Sequence, residues 1–255
     1  MDVNFFLQLV INGLVVGSVY ALVALGFVII FKSTSVVNFA QGEFLLLGAY
    51  ISLAVVGQYN MPFWVAVIIT LLFSIALGML IERLILRPMI GEPVISVIMV
   101  TLGLSSVLKA VVQGIWGTDT RPFPEIFPST PVQIGPLPVS QGYIYSVVCV
   151  ALLLLLFTLF FKYSREGIAM RATAFSQQVA QSMGISVRRM FALAWAIAAV
   201  VSAIGGILLG GVRGGVDAAL ASIGLKVIPV VILGGLDSII GAIVGGLLVG
   251  VLENL

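Results

Sequence analysis

Residues 12–50 read NGLVVGSVYALVALGFVIIFKSTSVVNFAQGEFLLLGAY, and this stretch decides the fold class. The run from Phe5 to Phe31 carries no charge and ends at Lys32. A membrane helix needs ~20 mostly apolar residues, which this run exceeds. It is too long for a secretory leader and lacks a small-residue cleavage site, so it reads as a mature helix. Val36–Gly57 is a second run, interrupted only by Glu43. Outward along the chain follow Pro62–Ile81, Val94–Trp116 with Lys109 inside it, Tyr143–Phe161, Met190–Val212, and Val227–Leu252 with Asp237 inside it. The chain is expected to be an all-α polytopic membrane protein of about seven helices, in one transmembrane domain over residues 1–255.

Composition agrees. Of 255 residues, 61% are hydrophobic and 9% charged, with a mean hydropathy of +1.24. Soluble domains are about a quarter charged, and no water-soluble globule hides this much apolar surface. Histidine is absent, which removes imidazole bases and ligands. The single cysteine, Cys149, permits neither an intrachain disulfide nor a thiolate cluster. A net charge of +2 gives no footprint for nucleic acid. No Gly-Lys pair exists, so the phosphate-binding loop of nucleotide hydrolases is missing. An intramembrane aspartyl protease needs two facing acids, and Asp237 has no evident companion. An ion-coupled carrier working through Glu43 or Asp237, or a channel, stays open at this point.

The basic residues set the orientation. Lys32, then Arg83 and Arg87, then Lys162, Arg165, Arg171, Arg188 and Arg189 occupy alternating connections, which the positive-inside rule makes cytoplasmic. The N-terminus is then external, and seven crossings would leave Leu255 inside. Arg213 and Lys226 strain that scheme, because they sit in a connection it calls external. The Gly234-Gly235 pair and Asp237 also allow the last run to be broken or re-entrant.

Three segments stand apart. The external connection over residues 117–142, GTDTRPFPEIFPSTPVQIGPLPVSQG, holds six of the ten prolines and is expected to be extended and stiff. It reads either as a spacer or as a platform for an external partner. The cytoplasmic connection over residues 162–189, KYSREGIAMRATAFSQQVAQSMGISVRR, carries an apolar stripe of Ile168, Ala172, Phe175, Val179 and Met183 at helical spacing. Ser176 is placed to N-cap a short helix through Met183, with Gly184 at its C-terminal end and Ser186 capping the next helix. Five basic residues and one acid surround the stripe, which suits either an anionic membrane surface or the groove of a soluble partner.

The third segment surrounds Asn38, Phe39, Gln41, Gly42 and Glu43. A carboxylate at the centre of a membrane helix costs ~2.5–3.5 kcal/mol on insertion scales. Two turns from the basic end, Glu43 reads as interfacial, in the translocation path or its gate or in a helix–helix hydrogen bond. Glycines at small-xxx-small spacing, Gly13–Gly17, Gly206–Gly210, Gly210–Gly214, Gly211–Gly215, Gly241–Gly245 and Gly246–Gly250, point to closely packed helices.

Three separated motifs in order carry a resemblance along the whole chain: residues 12–50, residues 165–208, REGIAMRATAFSQQVAQSMGISVRRMFALAWAIAAVVSAIGGIL, and residues 233–255, LGGLDSIIGAIVGGLLVGVLENL. The sequence resembles the smaller, "H"-type permeases of branched-chain amino-acid ABC importers, a family with relatives for urea and short amides. The resemblance implies an inner-membrane half-channel that pairs with a second, related permease. It also implies two cytoplasmic ATPases that bind the ATP and magnesium, and a periplasmic or lipid-anchored binding protein that delivers the ligand. This chain itself is then no enzyme and holds no cofactor. The N-F-A-x-G-E pattern falls on Asn38, Phe39, Ala40, Gly42 and Glu43. Many members have histidine where this chain has Gln41, so proton sensing there is not available. Gly167, Arg171, Ala172, Ala180, Gly184 and Ile185 fall on the ATPase-coupling pattern, with Glu166, Phe175, Val179 and Met183 beside them. Members usually continue for an eighth span, so the resemblance implies a last helix beyond Glu253-Asn254-Leu255.

Overall fold

The uncharged N-terminal run forms one long helix, α1 (Val3–Thr34), around which the other helices assemble. A computed structural model describes residues 3–128, 130–134 and 137–255. A helix that is apolar all round has no face suited to water, and the middle of α1 is accordingly sealed on every side, from Val19 through Ile30. The second helix, α2 (Gln41–Leu53), continues through a π-helical turn to Gln58 and is also buried all round. Next come α3 (Phe63–Ile81) and α4 (Val94–Trp116), linked by a cytoplasmic π turn and a 3₁₀ turn.

Between the membrane helices, β1 (Arg121–Pro122), β2 (Pro131–Ile134) and β3 (Leu137–Ser140) lead into α5 (Gln141–Tyr163). At the opposite end of α5 lie α6 (Arg165–Phe175) and α7 (Gln177–Ser182). Then α8 (Val187–Arg213) returns across the bundle, and β4 (Gly215–Val216) pairs antiparallel with β1. A 3₁₀ turn over Ala218–Ala221, α9 (Ser222–Gly234) and α10 (Ile239–Asn254) complete the chain.

The bundle has an inner and an outer set of helices. α3, α4 and α5 each bury one stripe at helical spacing and expose the rest, as lipid-facing helices do; on α4 the buried stripe is Val97, Thr101, Leu104, Leu108 and Val112. Five helices, α1, α3, α4, α5 and α8, are long and apolar enough to cross a membrane. The protein is thus an all-α, multi-pass membrane protein.

Two of the expected runs are not single crossings. Val36–Gly57 is helical only from Gln41; the chain turns at Ser35 (φ 58°) and runs without regular structure to Asn38. The expected Val227–Leu252 span is two antiparallel helices, α9 and α10. Gly235 (φ 92°) ends the first, and the Ser238 hydroxyl starts the second by accepting from the Gly241 amide at 3.0 Å. At the apex Gly234 and Gly241 touch backbone to backbone, where any Cβ would collide. The Lys32 ammonium donates to the Asp237 carbonyl at 3.0 Å, which puts this apex beside the C-terminal end of α1. α10 therefore runs back beside α1, where Gly250 and Val251 meet Gly13, and Leu255 lies on the side of the N-terminus rather than on that of Lys32. Lys226 is not in a connection at all: it pairs with Glu253 across the α9–α10 hairpin, and Glu253 accepts from buried Tyr20 at 2.6 Å.

Glycine sets how close these helices come. A Cβ on Gly13 would lie 2.6 Å from the Val251 Cα, one on Gly17 2.7 Å from the Gly246 carbonyl oxygen, and one on Gly246 2.6 Å from the Ala21 Cα. Gly206 packs on the backbone of α2 at Leu45, and Gly245 on Val230. Gly210 and Gly211 instead meet Phe123, Ile126 and Phe127 of the external loop. Their expected partners Gly214 and Gly215 lie beyond the end of α8, Gly214 being its left-handed terminator (φ 67°), so those two pairs are not helix-packing pairs.

Gly246→Leu forces backbone apart, at a cost of about 1–3 kcal/mol or more. It is expected to lower the melting temperature of the detergent-purified protein by several degrees or abolish folded yield. Gly114→Ala, where an added Cβ meets nothing within 4 Å, is expected to leave that temperature unchanged or raise it.

Candidate functional site

The break before α2 places a polar cluster deep in the membrane. Gln41 lies against Ala198 and Ser202, halfway along α8, and Glu43 meets Ser105, halfway along α4. The expectation that Glu43 is interfacial is therefore wrong. It assumed that the helix starts at Val36, whereas residues 36–40 climb inward without helical structure and α2 starts near mid-depth.

Backbone without helical bonds survives at that depth only inside protein. Here the side chains supply the bonds. The Asn38 carboxamide oxygen accepts from the Ala40 amide at 3.0 Å, and its nitrogen donates to Gln41 Oε1 at 3.0 Å. The Phe39 amide donates to Thr101 Oγ1 at 3.3 Å. Gln41 Nε2 donates to Ser202 Oγ at 2.6 Å and to the Ala198 carbonyl at 3.3 Å, tying α2 to α8. Asn38 and Gln41 are fully buried, and Glu43 is 5% exposed. Ser105 Oγ donates to Glu43 Oε1 at 2.7 Å. Gly42 lets the start of α9 touch the start of α2, its backbone against Ala221 and Gly224.

The structure thus brings Asn38, Gln41, Gly42 and Glu43 into one cluster, with Phe39 joined through its amide. Sequence reasoning missed Thr101, Ser105, Ser202 and Gly224. The serines and threonine are small polar residues inside apolar runs, and such residues usually bond back to their own helix, as Ser33 does to the Ile29 carbonyl.

At the cytoplasmic end, Ser164 caps α6 by accepting from the Gly167 amide at 2.9 Å, and Ser176 caps α7 by accepting from Val179 at 3.3 Å. Gly184 (φ 82°) ends α7 in the left-handed region. Ser186 precedes α8, but its side chain makes no cap bond. The apolar stripe is not one helix face, because Ser176 is extended and breaks it in two. Phe175, Val179 and Met183 are 93%, 62% and 79% exposed, with Ile168 exposed further along. Gly167 sits against the backbone of Phe160 and Phe161, Ala180 is buried, and its carbonyl accepts from the Ile185 amide at 2.9 Å. Arg171 is exposed and Ala172 half-buried. Glu166 pairs with Arg189 at 2.7 Å, joining α6 to α8.

A cavity of about 270 Å³ is lined by Thr34, Met89, Glu92, Gln177 and Trp195 among others. Gln177 opens α7, while Trp195 packs edge-on against Phe44 of α2, with ring centroids 6.2 Å apart.

The family model described as branched-chain amino acid transport system / permease component matches residues 9–255. The chain belongs to this permease family. It is 32% identical to the high-affinity branched-chain amino acid transport system permease protein LivH of Salmonella typhimurium, over 98% of this chain and 86% of that one. It is 31% identical to BraD of Pseudomonas aeruginosa, the corresponding permease protein, over 99% and 86%. A probable branched-chain amino acid transport permease protein LivH of Methanocaldococcus jannaschii is 27% identical over 97% and 80%. The polar cluster and the cytoplasmic segment are thus parts of a transport permease, not of an enzyme.

Replacing Gln41 with Leu strands the Asn38 amide and the Ser202 hydroxyl in a dry interior, at ~1–3 kcal/mol for each unsatisfied group. The purified permease is expected to melt several degrees lower.

Proposed function

We propose that this chain is the membrane-spanning subunit of an ATP-driven importer for branched-chain or other hydrophobic amino acids in a bacterial inner membrane. It works with a second related permease, two cytoplasmic ATPases that carry ATP and magnesium, and an external binding protein that delivers the ligand. The relatives' names support the substrate class. The observation that carries the energy coupling is the bare apolar patch of Phe175, Val179 and Met183 at the cytoplasmic end. Apolar side chains this exposed, ringed by Lys162, Arg165, Arg171, Arg188 and Arg189, suit a protein groove.

The coupling follows from the packing. Closure of the ATPases on ATP pulls the α6–α7 segment. Gln177 of α7 and Trp195 of α8 line one cavity, and Trp195 abuts Phe44, so a shift of α7 is passed to the start of α2 by way of α8. The Asn38–Glu43 turn holds only a few hydrogen bonds across helices, which makes it the natural place for the bundle to rearrange between outward and inward access. On the external side, residues 117–142 take the role of a docking platform. They are anchored by the β1–β4 pairing and by the stacking of Phe127 on Tyr145, with centroids 5.9 Å apart.

Phe175→Asp and Met183→Asp are expected to reduce co-purification of the ATPase subunits. The loss of one buried anchor, ~2 kcal/mol or more, corresponds to roughly thirtyfold in affinity. Membrane insertion is expected to stay normal and ligand uptake to fall in parallel. ATPases that co-purify at wild-type levels with both variants sink the docking role.

A further inference from the structure

Lys109 has no place in the reading above. It stands on α4 one turn beyond Ser105, seven residues and about 10 Å short of Trp116 at the external end. A lysine at that depth is costly unless it faces water or a counter-charge. Among the described residues it makes no ion pair, and its surface is open. Four residues on a helix turn the side chain by only about 40°, so Lys109 borders the seam in which Ser105 meets Glu43.

Glu43 is the mirror case. It is a buried carboxylate at mid-depth, and Ser105 is the one side chain among the described residues that hydrogen-bonds it. One neutral hydroxyl is a poor substitute for a carboxylate's water shell, so a cationic donor belongs there. Two turns along the same face of α2, Tyr50 is fully buried, and its hydroxyl has no partner among the described residues. Its ring packs on Trp116 with centroids 5.3 Å apart, closing the external end of this seam. The face of α4 next to Lys109 is bare: Ser106 is exposed, and a Cβ added at Gly103 or Gly114 would meet nothing within 4 Å.

We infer that Glu43, Ser105 and Lys109 form a transit site for the charged end of a free amino acid. The ammonium bonds Glu43, the carboxylate bonds Lys109, and the side chain points along the open face of α4. The inference rests on the amino-acid reading under Proposed function and deepens it. Recognising the ammonium and carboxylate shared by all such ligands lets one site pass side chains of different shape. It also gives buried Glu43 and exposed Lys109 the partners they lack, and only while ligand is present.

The test uses the complete importer in proteoliposomes with its binding protein, radiolabelled leucine and ATP. The variants are Lys109→Gln, Glu43→Gln and the double variant. Each single change is expected to lower uptake roughly tenfold or more, as the loss of one charge-assisted hydrogen bond implies. The double variant is expected to be no better, with subunits co-purifying normally. Uptake at wild-type level in Lys109→Gln overturns the site. Recovery in the double variant overturns it in favour of an internal Glu43–Lys109 pair. Loss of the second permease on Lys109→Gln overturns it in favour of a subunit contact. No leucine uptake by the wild-type complex, with assembly intact, overturns the amino-acid reading beneath it.

Discussion

The rule that no backbone amide or carbonyl is left unbonded in lipid governs this molecule. Most of the chain meets it by being helical. The exception lies before α2, where the chain abandons helical bonds after Ser35 and starts a helix near mid-depth. That stretch exists only because the side chains of Thr34, Thr101 and Asn38 accept from the amides of Val36, Phe39 and Ala40, while Gln41 and Ser202 hold Asn38 in place. Those bonds in turn need α2, α4 and α8 within a few ångströms of one another, so the polar turn and the dense packing depend on each other.

Glycine makes that closeness possible. In water a bundle is drawn together by hiding apolar surface, but lipid offers apolar side chains an equally good environment. What is left is dispersion and hydrogen bonding, both of which fall off steeply with distance. The contacts of Gly246 with Ala21, Gly42 with Gly224 and Gly234 with Gly241 bring backbones together where any side chain would hold them apart. The same feature explains the inner and outer sets of helices. α1, α2 and α8 are covered on almost every side, whereas α3, α4 and α5 keep one face inward and leave the rest exposed.

Polarity is distributed so that the permease has little chemistry of its own. Its deep polar atoms mostly satisfy one another, and its exposed apolar patch at Phe175, Val179 and Met183 lies at the end where the basic residues gather. Trp195 lines a small cavity together with Gln177 of α7 and packs on Phe44 of α2.

Membership of a membrane-spanning class and the boundaries of the plain crossings were legible in residue order, because uninterrupted apolar length is a local property. So were the Ser176 cap and the left-handed Gly184, since cap chemistry acts within one helical turn. The depth of Glu43 was not legible, nor was the hairpin of α9 and α10, nor which glycines pack on helices and which on the external loop. An apolar run reads the same whether it crosses once or folds back at Gly235, and a serine at position 105 or 202 looks like any other small polar residue in a helix. Sequence by itself determined that the chain must live in lipid. Only the tertiary structure decided which polar groups meet at the centre, because those pairings join residues up to 161 positions apart and no local pattern encodes them.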